Sequence, residues 1–407
     1  MTIFFLFLCY FLDGDGMKKE IWIFILFLIV SFFMFSSFQE EDKLVVGVQK
    51  KSEDRGIFVS YIELGNYLRG KSADEGKKVI KQMISNIDDL GFNMVLLQVR
   101  TFSDAIYSSD IYPWSGVISG VEGEDFGYDI LDVFIEYCHK KKMKLFAWIN
   151  PYRIRGDEDI SDISDKNPAY SYLNTDVVYV GGGVYYNPAK EEVKDLIVDG
   201  VDEIVSHYDV DGIMFDDYFY PNDEIDLKDF QAYQEKNPDV TIDEFRLMQV
   251  NDLIRRVHDV CRQYDVLFAI SPDGNIENNY QKHYADVKLW GSSSEYVDYL
   301  MPQIYYGFYN ETKAFVSVLE EWEGIATEVS LFPVLAFYKV GAVDTFARSG
   351  SEEWLKYDDI IMREIILTRN LRQYQGFSLF RYDYLFNSEL ETSTTMAEVR
   401  NMIKILN

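Results

Sequence analysis

From residue 55 onward, short apolar runs alternate with longer segments in which apolar residues recur every three or four positions. A short uninterrupted apolar run is typical of a parallel strand buried on both faces, and the longer spacing is typical of an amphipathic helix. The alternation predicts eight strands and eight helices. The predicted strands are 56–61, 94–98, 144–149, 212–215, 266–270, 299–305, 330–337 and 376–380.

Each predicted strand is followed by a predicted helix. The segment 190–207 shows the helical period clearly, because its apolar residues fall on one stripe. Eight strand–helix units in succession indicate an α/β fold of the (β/α)8 TIM-barrel type. The helices are predicted at 74–90, 130–142, 190–207, 242–264, 280–290, 312–322, 352–374 and 391–406.

An open, doubly wound sheet is the alternative arrangement of these elements. It would require a glycine-rich phosphate-binding loop between an early strand and its helix. The glycine run from Gly181 to Gly183 precedes an extended Val-Tyr-Tyr-Asn-Pro stretch and not a helix. The barrel is therefore the preferred fold.

The N-terminal part has the pattern of a targeting segment. Residues 21–35 carry no charge and follow Lys18 and Lys19, which indicates a signal peptide or an uncleaved signal anchor. With 36–38 the run reaches the roughly 20 residues that span a bilayer. Met17 is the expected start of translation. Residues 1–38 are thus predicted as the targeting segment, 39–54 as a short charged tether and 55–407 as the barrel.

The segment 208–221 runs from a buried strand into paired carboxylates. Asp216 and Asp217 come directly after the strand, and three aromatic residues and a proline follow them. Carboxylates at the C-terminal end of a barrel strand lie where barrel enzymes carry out their chemistry. Aromatic rings beside them suit a sugar site. The alternative is that one aspartate caps the next helix and the other binds loop amides.

Other predicted strands also end in polar or aromatic residues, which a barrel would bring to the same rim. Acids that precede strands, such as Asp209, Asp211 and Asp298, would lie at the opposite face and serve the structure. The rim set is Gln98, Arg100, Asp104, Asn150, Tyr152, Arg153, Asp216, Asp217, Asp273, Asn275, Glu277, Gln303, Tyr305, Tyr306, Arg381, Tyr382 and Asp383.

Composition narrows the possible partners. Apolar residues make up 48% of the chain, which provides for a sizeable core, and the 16% of aromatic residues suits a carbohydrate cleft. The net charge of −29 repels nucleic acid and anionic lipid headgroups. Nucleic acid is therefore not an expected partner. The aromatic content fits a polysaccharide partner but would be the same for an aromatic-rich core, and the N-terminal run would enter a membrane. Cys138 and Cys261 form no CxxC pair and are interpreted as small buried apolar residues.

Metal, cofactor and serine-nucleophile chemistry find no support in the chain. All four histidines fall in predicted helices, and none pairs with another at a metal-ligand spacing. A serine triad would lack its histidine. Two-carboxylate glycoside hydrolysis needs none of these groups, because one acid attacks or activates water and the other protonates the leaving oxygen. No cofactor and no metal are expected.

Nine motifs lie in order along the barrel region: Arg55-Gly-Ile-Phe-Val, Gln98-Val-Arg100, Asp104-Ala-Ile-Tyr-Ser-Ser109, Pro113-Trp114-Ser115, Gly127-Tyr-Asp129, Ala147-Trp-Ile-Asn-Pro-Tyr-Arg153, Tyr186-Asn-Pro188, 211–221 and Pro302-Gln-Ile-Tyr305. Together they resemble the glycoside hydrolase-like family 10 domain over residues 55 to about 407. The resemblance implies a TIM barrel, export and hydrolysis of a polysaccharide.

A bacterial member of this family is understood to cleave peptidoglycan glycan strands stripped of their peptides, so the resemblance favours that substrate. The chain departs from the family pattern at two positions. Phe146 stands where histidine is common, and Asp273 stands where an apolar residue is more usual. Either departure would alter subsite preference or remove activity.

The predicted catalytic residues are Asp216, Asp217 and Asp104. Asp216 is preferred because neighbouring side chains on a strand point to opposite faces, and because its pattern resembles the strand-four acid of other glycosidase barrels. Asp273, Glu277 and Asp383 are further candidates for the second carboxyl. The predicted sugar-binding residues are Arg100, Trp148, Asn150, Tyr152, Arg153, Tyr218, Tyr220, Gln303, Tyr305 and Asp383.

The sequence thus predicts an exported glycoside hydrolase, either anchored to the membrane or secreted, that acts on a cell-envelope or extracellular polysaccharide. Two alternatives stay open: a catalytically inactive glycan-binding barrel, and a glycosidase of a capsular or dietary glycan. Hydrolysis needs a second carboxyl facing the first, which a binding module does not need.

We expect the run from Ile21 to carry the protein out of the cytoplasm. A reporter that is active only after export, fused after Asp54, should therefore be active in cells. The same fusion with Ile25 and Leu26 changed to lysine is the control, because charges in the apolar run oppose membrane insertion. An inactive reporter on the unaltered segment, with the fusion protein in the cytosol, would contradict the expectation.

Overall fold

The computed structural model of the chain describes residues 53–406. The predicted targeting segment, and the tether up to residue 52, lie outside the described residues. Within residues 53–406, no helix combines the length and the apolar character needed to cross a membrane.

The described residues alternate strands and helices, as the sequence predicts. The strands are β1 (Asp54–Val59), β2 (Met94–Arg100), β3 (Lys144–Ile149), β4 (Arg153–Arg155), β5 (Val178–Val180), β6 (Val184–Tyr186), β7 (Gly212–Phe215), β8 (Leu267–Ile270), β9 (Tyr299–Leu300), β10 (Gln303–Ile304), β11 (Ser330–Leu331), β12 (Val334–Leu335) and β13 (Gly376–Leu379). The helices are α1 (Tyr61–Leu68), α2 (Ala73–Asp89), α3 (Gly116–Ser119), α4 (Ile130–Lys140), α5 (Glu191–His207), α6 (Leu227–Gln234), α7 (Ile242–Gln263), α8 (Ile276–Gln281), α9 (Val287–Gly291), α10 (Phe315–Ile325), α11 (Glu353–Lys356), α12 (Ile360–Thr368), α13 (Tyr382–Phe386) and α14 (Ser393–Leu406).

Ten strands form one curled, parallel sheet in the order β10-β12-β13-β1-β2-β3-β7-β8-β9-β11. All eight predicted strands take part in it. The sixth and seventh are each interrupted, because Pro302 and Pro333 have no N–H to donate to the ladder. The prediction of two continuous strands there is wrong, although each segment pairs on both sides of its proline.

The side chains of the sheet separate into two apolar clusters. On β1, Phe58 belongs to the inner cluster, whereas Ile57 and Val59 belong to the outer cluster, which packs against the helices. On β7, Met214 points inward and Phe215 outward. This two-residue period continues to Asp216, which is therefore directed toward the inner side at the end of the strand. The outer cluster contains Cys138 and Cys261, both buried and unpaired, as predicted.

Phe146 is part of the inner cluster. Its ring stacks on Tyr299, with centroids 6.1 Å apart, and lies against Gly212 on the neighbouring strand. A Cβ at residue 212 would approach the phenylalanine ring to 2.5 Å, so glycine provides the space for the large side chain. The departure from the family pattern at Phe146 is thus accommodated within the sheet, below the rim.

The first helix of the fold was not predicted. The predicted strand 56–61 ends at Val59, and Ser60 caps α1 by accepting from the amide of Ile62. The side chain of Glu63 completes a capping box by accepting from the Ser60 amide at 3.0 Å. Because α1 starts directly after β1, it brings Tyr61 to the rim of the sheet.

Two predicted helices are divided in the structure. The predicted helix 280–290 becomes α8 and α9, since Asp286 accepts from the amide of Leu289 and starts a new helix. The predicted helix 352–374 becomes α11 and α12, with Glu398 accepting from the amides of Ile360 and Met362. In both places a side chain satisfies helix N-terminal amides that a continuous helix would have bonded internally.

A small antiparallel sheet, in the order β4-β6-β5, follows β3 and was not predicted. The glycine run supplies the turn between β5 and β6, with Gly182 and Gly183 at positive φ of 66° and 146°. Glycine adopts such angles without the steric cost of a side chain. The sheet begins at Arg153, whose side chain reaches the rim of the main sheet.

Candidate active site

Three cavities lie along the rim formed by the C-terminal ends of the sheet strands. The middle cavity has a volume of about 400 Å³ and is lined by residues that follow six different strands. The first cavity, of about 620 Å³, shares Tyr61 and Ile62 with it. The third, of about 320 Å³, shares Asp217, Gln303 and Tyr305 with the middle cavity. Shared walls make the three cavities parts of one groove.

The floor of the middle cavity is aromatic. The Phe58 ring meets Trp148 edge to face at 5.4 Å and Phe380 at 5.5 Å. Tyr305 lies 5.9 Å from Phe380 and continues the surface toward the third cavity. These rings keep water away from one side of the polar groups above them, which strengthens the electrostatic interactions there.

Asp216 lies at this floor and is only 3% exposed. Its Oδ2 accepts from Nε1 of Trp148 at 2.9 Å, and its Oδ1 accepts from the Tyr218 amide at 3.3 Å. Burial and the neighbouring charge of Asp217 raise the pKa of Asp216 to about 7, against these two hydrogen bonds. Asp216 can therefore carry a proton at near-neutral pH.

Asp217 lines the same cavity because the strand has ended at Phe215, so the alternation of side chains no longer separates the two acids. Its Oδ1 accepts from Nε2 of Gln303 at 3.1 Å, and the same Nε2 donates to the Ser271 carbonyl oxygen at 3.0 Å. Burial raises the pKa of Asp217, whereas His283 and the Gln303 hydrogen bond oppose that rise. Its surroundings thus favour the ionised form more than those of Asp216 do.

His283 is a site residue that the sequence did not predict. It was assigned to a helix away from the rim, which is wrong: it lies in the bend between α8 and α9. Its Nε2 is 3.8 Å from Oδ2 of Asp273, and its electrostatic interaction with Asp217 lowers the pKa of that acid. The division of the predicted helix 280–290 is what places it there.

Asp273, the second departure from the family pattern, lines the third cavity. Its carboxylate accepts from the Asn275 amide at 2.7 Å and from Nδ2 of Asn278 at 2.8 Å. Burial opposes its ionisation, but His283 and these hydrogen bonds outweigh burial and lower its pKa. Asp273 therefore carries a negative charge beside the groove.

Three polar atoms around the middle cavity have no partner within the described structure. They are Oδ1 of Asn150, Oγ of Ser271 and Nε of Arg153. Buried polar atoms are normally hydrogen-bonded, and unpaired ones mark places where a ligand can supply the partner. The Arg153 guanidinium also lies 5.7 Å from the centre of the Tyr218 ring, which is 53% exposed above the cavity.

The structure places other predicted acids away from the pair. Asp104 lines the first cavity, where it accepts from the Gly116 amide at 3.0 Å and supports the start of α3. Burial raises the pKa of Asp104 to about 7. Asp383 lies in a buried cluster with Arg381 and Glu63, and Glu277 is exposed on α8. Asp216 and Asp217 are thus the two carboxyls that line the middle cavity in the described part of the chain.

Four predicted sugar-binding residues lie in the interior instead of on the groove, and one of them is Asp383, which is 4% exposed. Arg100 packs against the Tyr112 ring at 4.0 Å and is 2% exposed. Tyr152 is 1% exposed, and Tyr220 donates its hydroxyl to Asp226. Burial thus places these side chains away from the three cavities. Those that do line the middle cavity are Trp148, Asn150, Arg153, Tyr218, Gln303 and Tyr305.

Several lining residues were missed by the sequence reasoning. Phe58, Ser60 and Tyr61 come from the end of β1 and the start of α1. Ser271 and Phe380 follow β8 and β13 directly, so their position at a strand end was a usable signal. Among residues 53–406, no group of three or more histidine, cysteine, aspartate or glutamate side chains could hold a metal ion.

The family model described as glycosyl hydrolase-like 10 matches residues 54–349. The chain is 30% identical to glycosyl hydrolase YngK of Bacillus subtilis over 386 residues, covering 88% of this chain and 73% of the relative. It is 28% identical to glycosyl hydrolase DigH of Escherichia coli K12 over 347 residues, covering 78% of each.

Solved structures show the same fold at low sequence identity. The PgaB (BpsB) glycoside hydrolase domain of Bordetella bronchiseptica superposes with a TM-score of 0.56 at 12% identity, covering 86% of this chain and 99% of that one. The β-amylase catalytic domain of Paenibacillus polymyxa superposes with a TM-score of 0.51 at 10% identity, covering 88% and 99%. Both similarities concern the fold.

We expect Asp216→Asn to change stability in a pH-dependent way. Below about pH 4 the carboxyl is protonated in both folded and unfolded chains, so the variant should match the wild type. Between about pH 4 and pH 7 the unfolded chain ionises first, because the folded pKa is raised. The free energy of unfolding of the wild type should therefore fall relative to the variant, by roughly 1–4 kcal/mol in all.

Urea denaturation midpoints over a pH series measure this difference. Asp239→Asn is the matched control, since Asp239 is an exposed aspartate, and it should follow the wild type at every pH. An Asp216→Asn variant whose midpoint differs from the wild type by the same amount at pH 4 and pH 8 would show that the buried charge has no such cost.

Proposed function

The chain belongs to the glycosyl hydrolase-like 10 family, and from this we propose that it is an exported glycosidase that cleaves a cell-envelope polysaccharide, with peptidoglycan glycan strands as its substrate. The observation that carries the proposal is the carboxyl pair at the floor of the middle cavity. Asp216 and Asp217 line one cavity, and burial raises the pKa of both, but His283 and the Gln303 hydrogen bond oppose the rise at Asp217. Pairs of acids whose pKa values are driven apart are the usual basis of acid and base roles.

We assign the proton to Asp216 and the negative charge to Asp217. Asp216 would donate its proton to the glycosidic oxygen as the bond to the anomeric carbon breaks, while Asp217 stabilises the positive charge that develops on the sugar. Water then adds to the anomeric carbon and gives one proton to the Asp216 carboxylate, which restores the starting protonation of the pair. This division agrees with the hydrogen bonds of Gln303 and the charge of His283, both of which serve Asp217.

In the proposed function, the groups that surround Asp216 and Asp217 bind the sugar. The exposed Tyr218 ring offers a flat face on which a pyranose can stack, and Arg153 lies beside it. Asn150 and Ser271 each present a buried polar atom without a partner in the described structure, which suits hydroxyl groups of a sugar. A polysaccharide is thus the partner that the cavity fits.

We further infer that the curled sheet closes into a (β/α)8 barrel. The short strands β9 and β10 belong to one segment of chain, and β11 and β12 belong to the next. Since β9 pairs with β8 and with β11, and β12 pairs with β10 and with β13, each of the eight segments has two paired neighbours. This pairing supports closure, which would bring all the strand ends to one rim.

The substrate proposal is tested by incubating the purified chain with peptide-free peptidoglycan strands and with a panel of other glycans, followed by product analysis. We expect cleavage of the peptidoglycan strands, and a loss of roughly 100- to 10,000-fold in kcat for Asp216→Asn, the usual contribution of a positioned acid. Asp239→Asn serves as the control and should retain full activity.

Cleavage of a different glycan from the panel would support the proposed hydrolase activity and contradict the proposed substrate. Binding of a glycan without any cleavage, by the wild type and Asp216→Asn alike, would replace the enzyme by a glycan-binding barrel. If Asp216→Asn cleaves the glycan as fast as the wild type, another residue donates the proton.

We also expect His283→Gln to shift the pH dependence of cleavage. His283 lowers the pKa of Asp217, so removal of its charge raises that pKa. Because Asp217 has to be ionised, the acidic limb of the kcat/KM profile should move to higher pH. The control is His207→Gln, which replaces an exposed histidine on α5 whose ring hydrogen-bonds with Ser206 and Glu203 of the same helix. Superimposable profiles for His283→Gln and wild type would contradict the electrostatic role.

A further inference from the structure

We propose that the third cavity is a sugar-binding subsite with Phe346 as its stacking surface, so that a polysaccharide lies through all three cavities and is cut internally. The proposal rests on the proposed glycosidase function and specifies how the chain lies in the same groove. Phe346 then determines how many sugars of the glycan are bound and where they lie in the groove.

The continuity of the groove is the first observation. Asp217, Gln303 and Tyr305 line both the middle and the third cavity, and Tyr61 and Ile62 line both the middle and the first. The acids therefore lie at the centre, with about 620 Å³ on one side and about 320 Å³ on the other. Each volume is of the size that holds a small organic ligand. A sugar bound at the acids has room for neighbouring sugars in both directions.

The second observation is the exposure of Phe346. Its side chain lines the third cavity and is 83% exposed, the highest value among the large apolar residues of the described chain. Leaving a phenylalanine ring in water forfeits the free energy that its burial would contribute. A sugar stacked on the ring would recover part of this, because pyranose rings have an apolar face.

The Phe346 loop is held in place by buried polar contacts. Asp344, which is 5% exposed, accepts from the Phe346 amide at 3.1 Å and from Nζ of Lys339 at 2.8 Å. The same Nζ donates to the carbonyl oxygen of Tyr305 at 2.8 Å. Lys339 thereby ties the loop of Phe346 to the wall that the middle and third cavities share. The ring is a preorganised surface, which lowers the entropy lost on binding.

The first cavity has a similar make-up on the other side of the acids. Phe102 and Tyr61 meet edge to face with centroids 5.8 Å apart, and Arg153 lies 5.1 Å from the Phe102 ring. Aromatic and polar walls on both sides of the acids suit a chain that extends in both directions. A groove of this kind leads to internal cleavage, whereas removal of terminal sugars needs a cavity closed on one side of the acids.

The test uses the full chain with β-1,4-linked N-acetylglucosamine oligomers as probes. Binding is measured by calorimetry for Asp216→Asn and for Asp216→Asn combined with Phe346→Ala, using the disaccharide and the octasaccharide. We expect Phe346→Ala to weaken octasaccharide binding about three- to tenfold, the range of a single aromatic contact, and to leave disaccharide binding unchanged. Tyr264→Ala is the matched control, since Tyr264 is a half-exposed aromatic residue just after α7, at the opposite end of the sheet strands.

The cleavage pattern is the second readout. Early in the digestion of long peptide-free peptidoglycan strands, the wild type should release fragments of mixed intermediate length. The Phe346→Ala variant should cut these strands at a different preferred position. Equal octasaccharide affinity for Phe346→Ala and Tyr264→Ala would overturn the subsite, and release of small terminal products from the start would overturn internal cleavage.

Failure of the subsite and failure of the glycosidase proposal give different results. Octasaccharide binding that depends on Phe346, without cleavage by the wild type, would sustain the subsite and overturn the hydrolase. Cleavage of long strands that is insensitive to Phe346→Ala would sustain the hydrolase and overturn the subsite. An absence of binding and of cleavage with every glycan would overturn both.

Discussion

The site depends on holding two carboxylates, Asp216 and Asp217, side by side in a cavity with an aromatic floor. Two negative charges in such a place repel each other strongly, because little water is present to screen them. The surroundings resolve the conflict unequally. Asp216 lies deeper, against Trp148, whereas Asp217 has the Gln303 amide and the charge of His283. Burial thus raises the pKa of both acids, while His283 and Gln303 oppose that rise at Asp217, which is the asymmetry on which the proposed acid and base roles rest.

The parallel sheet makes this arrangement possible. Its strands all run in one direction, so the residues that follow them collect at one rim. Below the rim, the inner cluster of apolar side chains fills the sheet, and the Phe146 ring occupies the space left by Gly212. The ring layer of Phe58, Phe380 and Trp148 then separates this apolar interior from the acids. Because of that layer, ionisation of the acids is costly. The same layer holds Trp148 in position to donate its hydrogen bond to Asp216.

Whether a predicted site residue lines the middle cavity depends on how many positions separate it from the end of its strand. Residues within a few positions of a strand, such as Trp148, Asn150 and Gln303, line the middle cavity as the barrel pattern implied. For residues further along a loop, the path of the loop determines where the side chain lies. Asp104 reaches the neighbouring cavity, and Tyr220 turns into the interior to bond Asp226. His283 was missed because the predicted helix that would have carried it away is divided at Asp286.

The order of strands and helices can be predicted from the sequence, because buried parallel strands and amphipathic helices leave distinct periods in the chain. The sequence also determined the position of the carboxyl pair, since both acids directly follow a strand and the strand direction sets the rim. The tertiary structure alone decided which acid is buried against Trp148, which side chains from other strands face the pair, and how the three cavities join. Those features arise from contacts between residues far apart in sequence, such as Gln303 with Asp217 and Lys339 with Tyr305. Local spacing carries no information about such contacts.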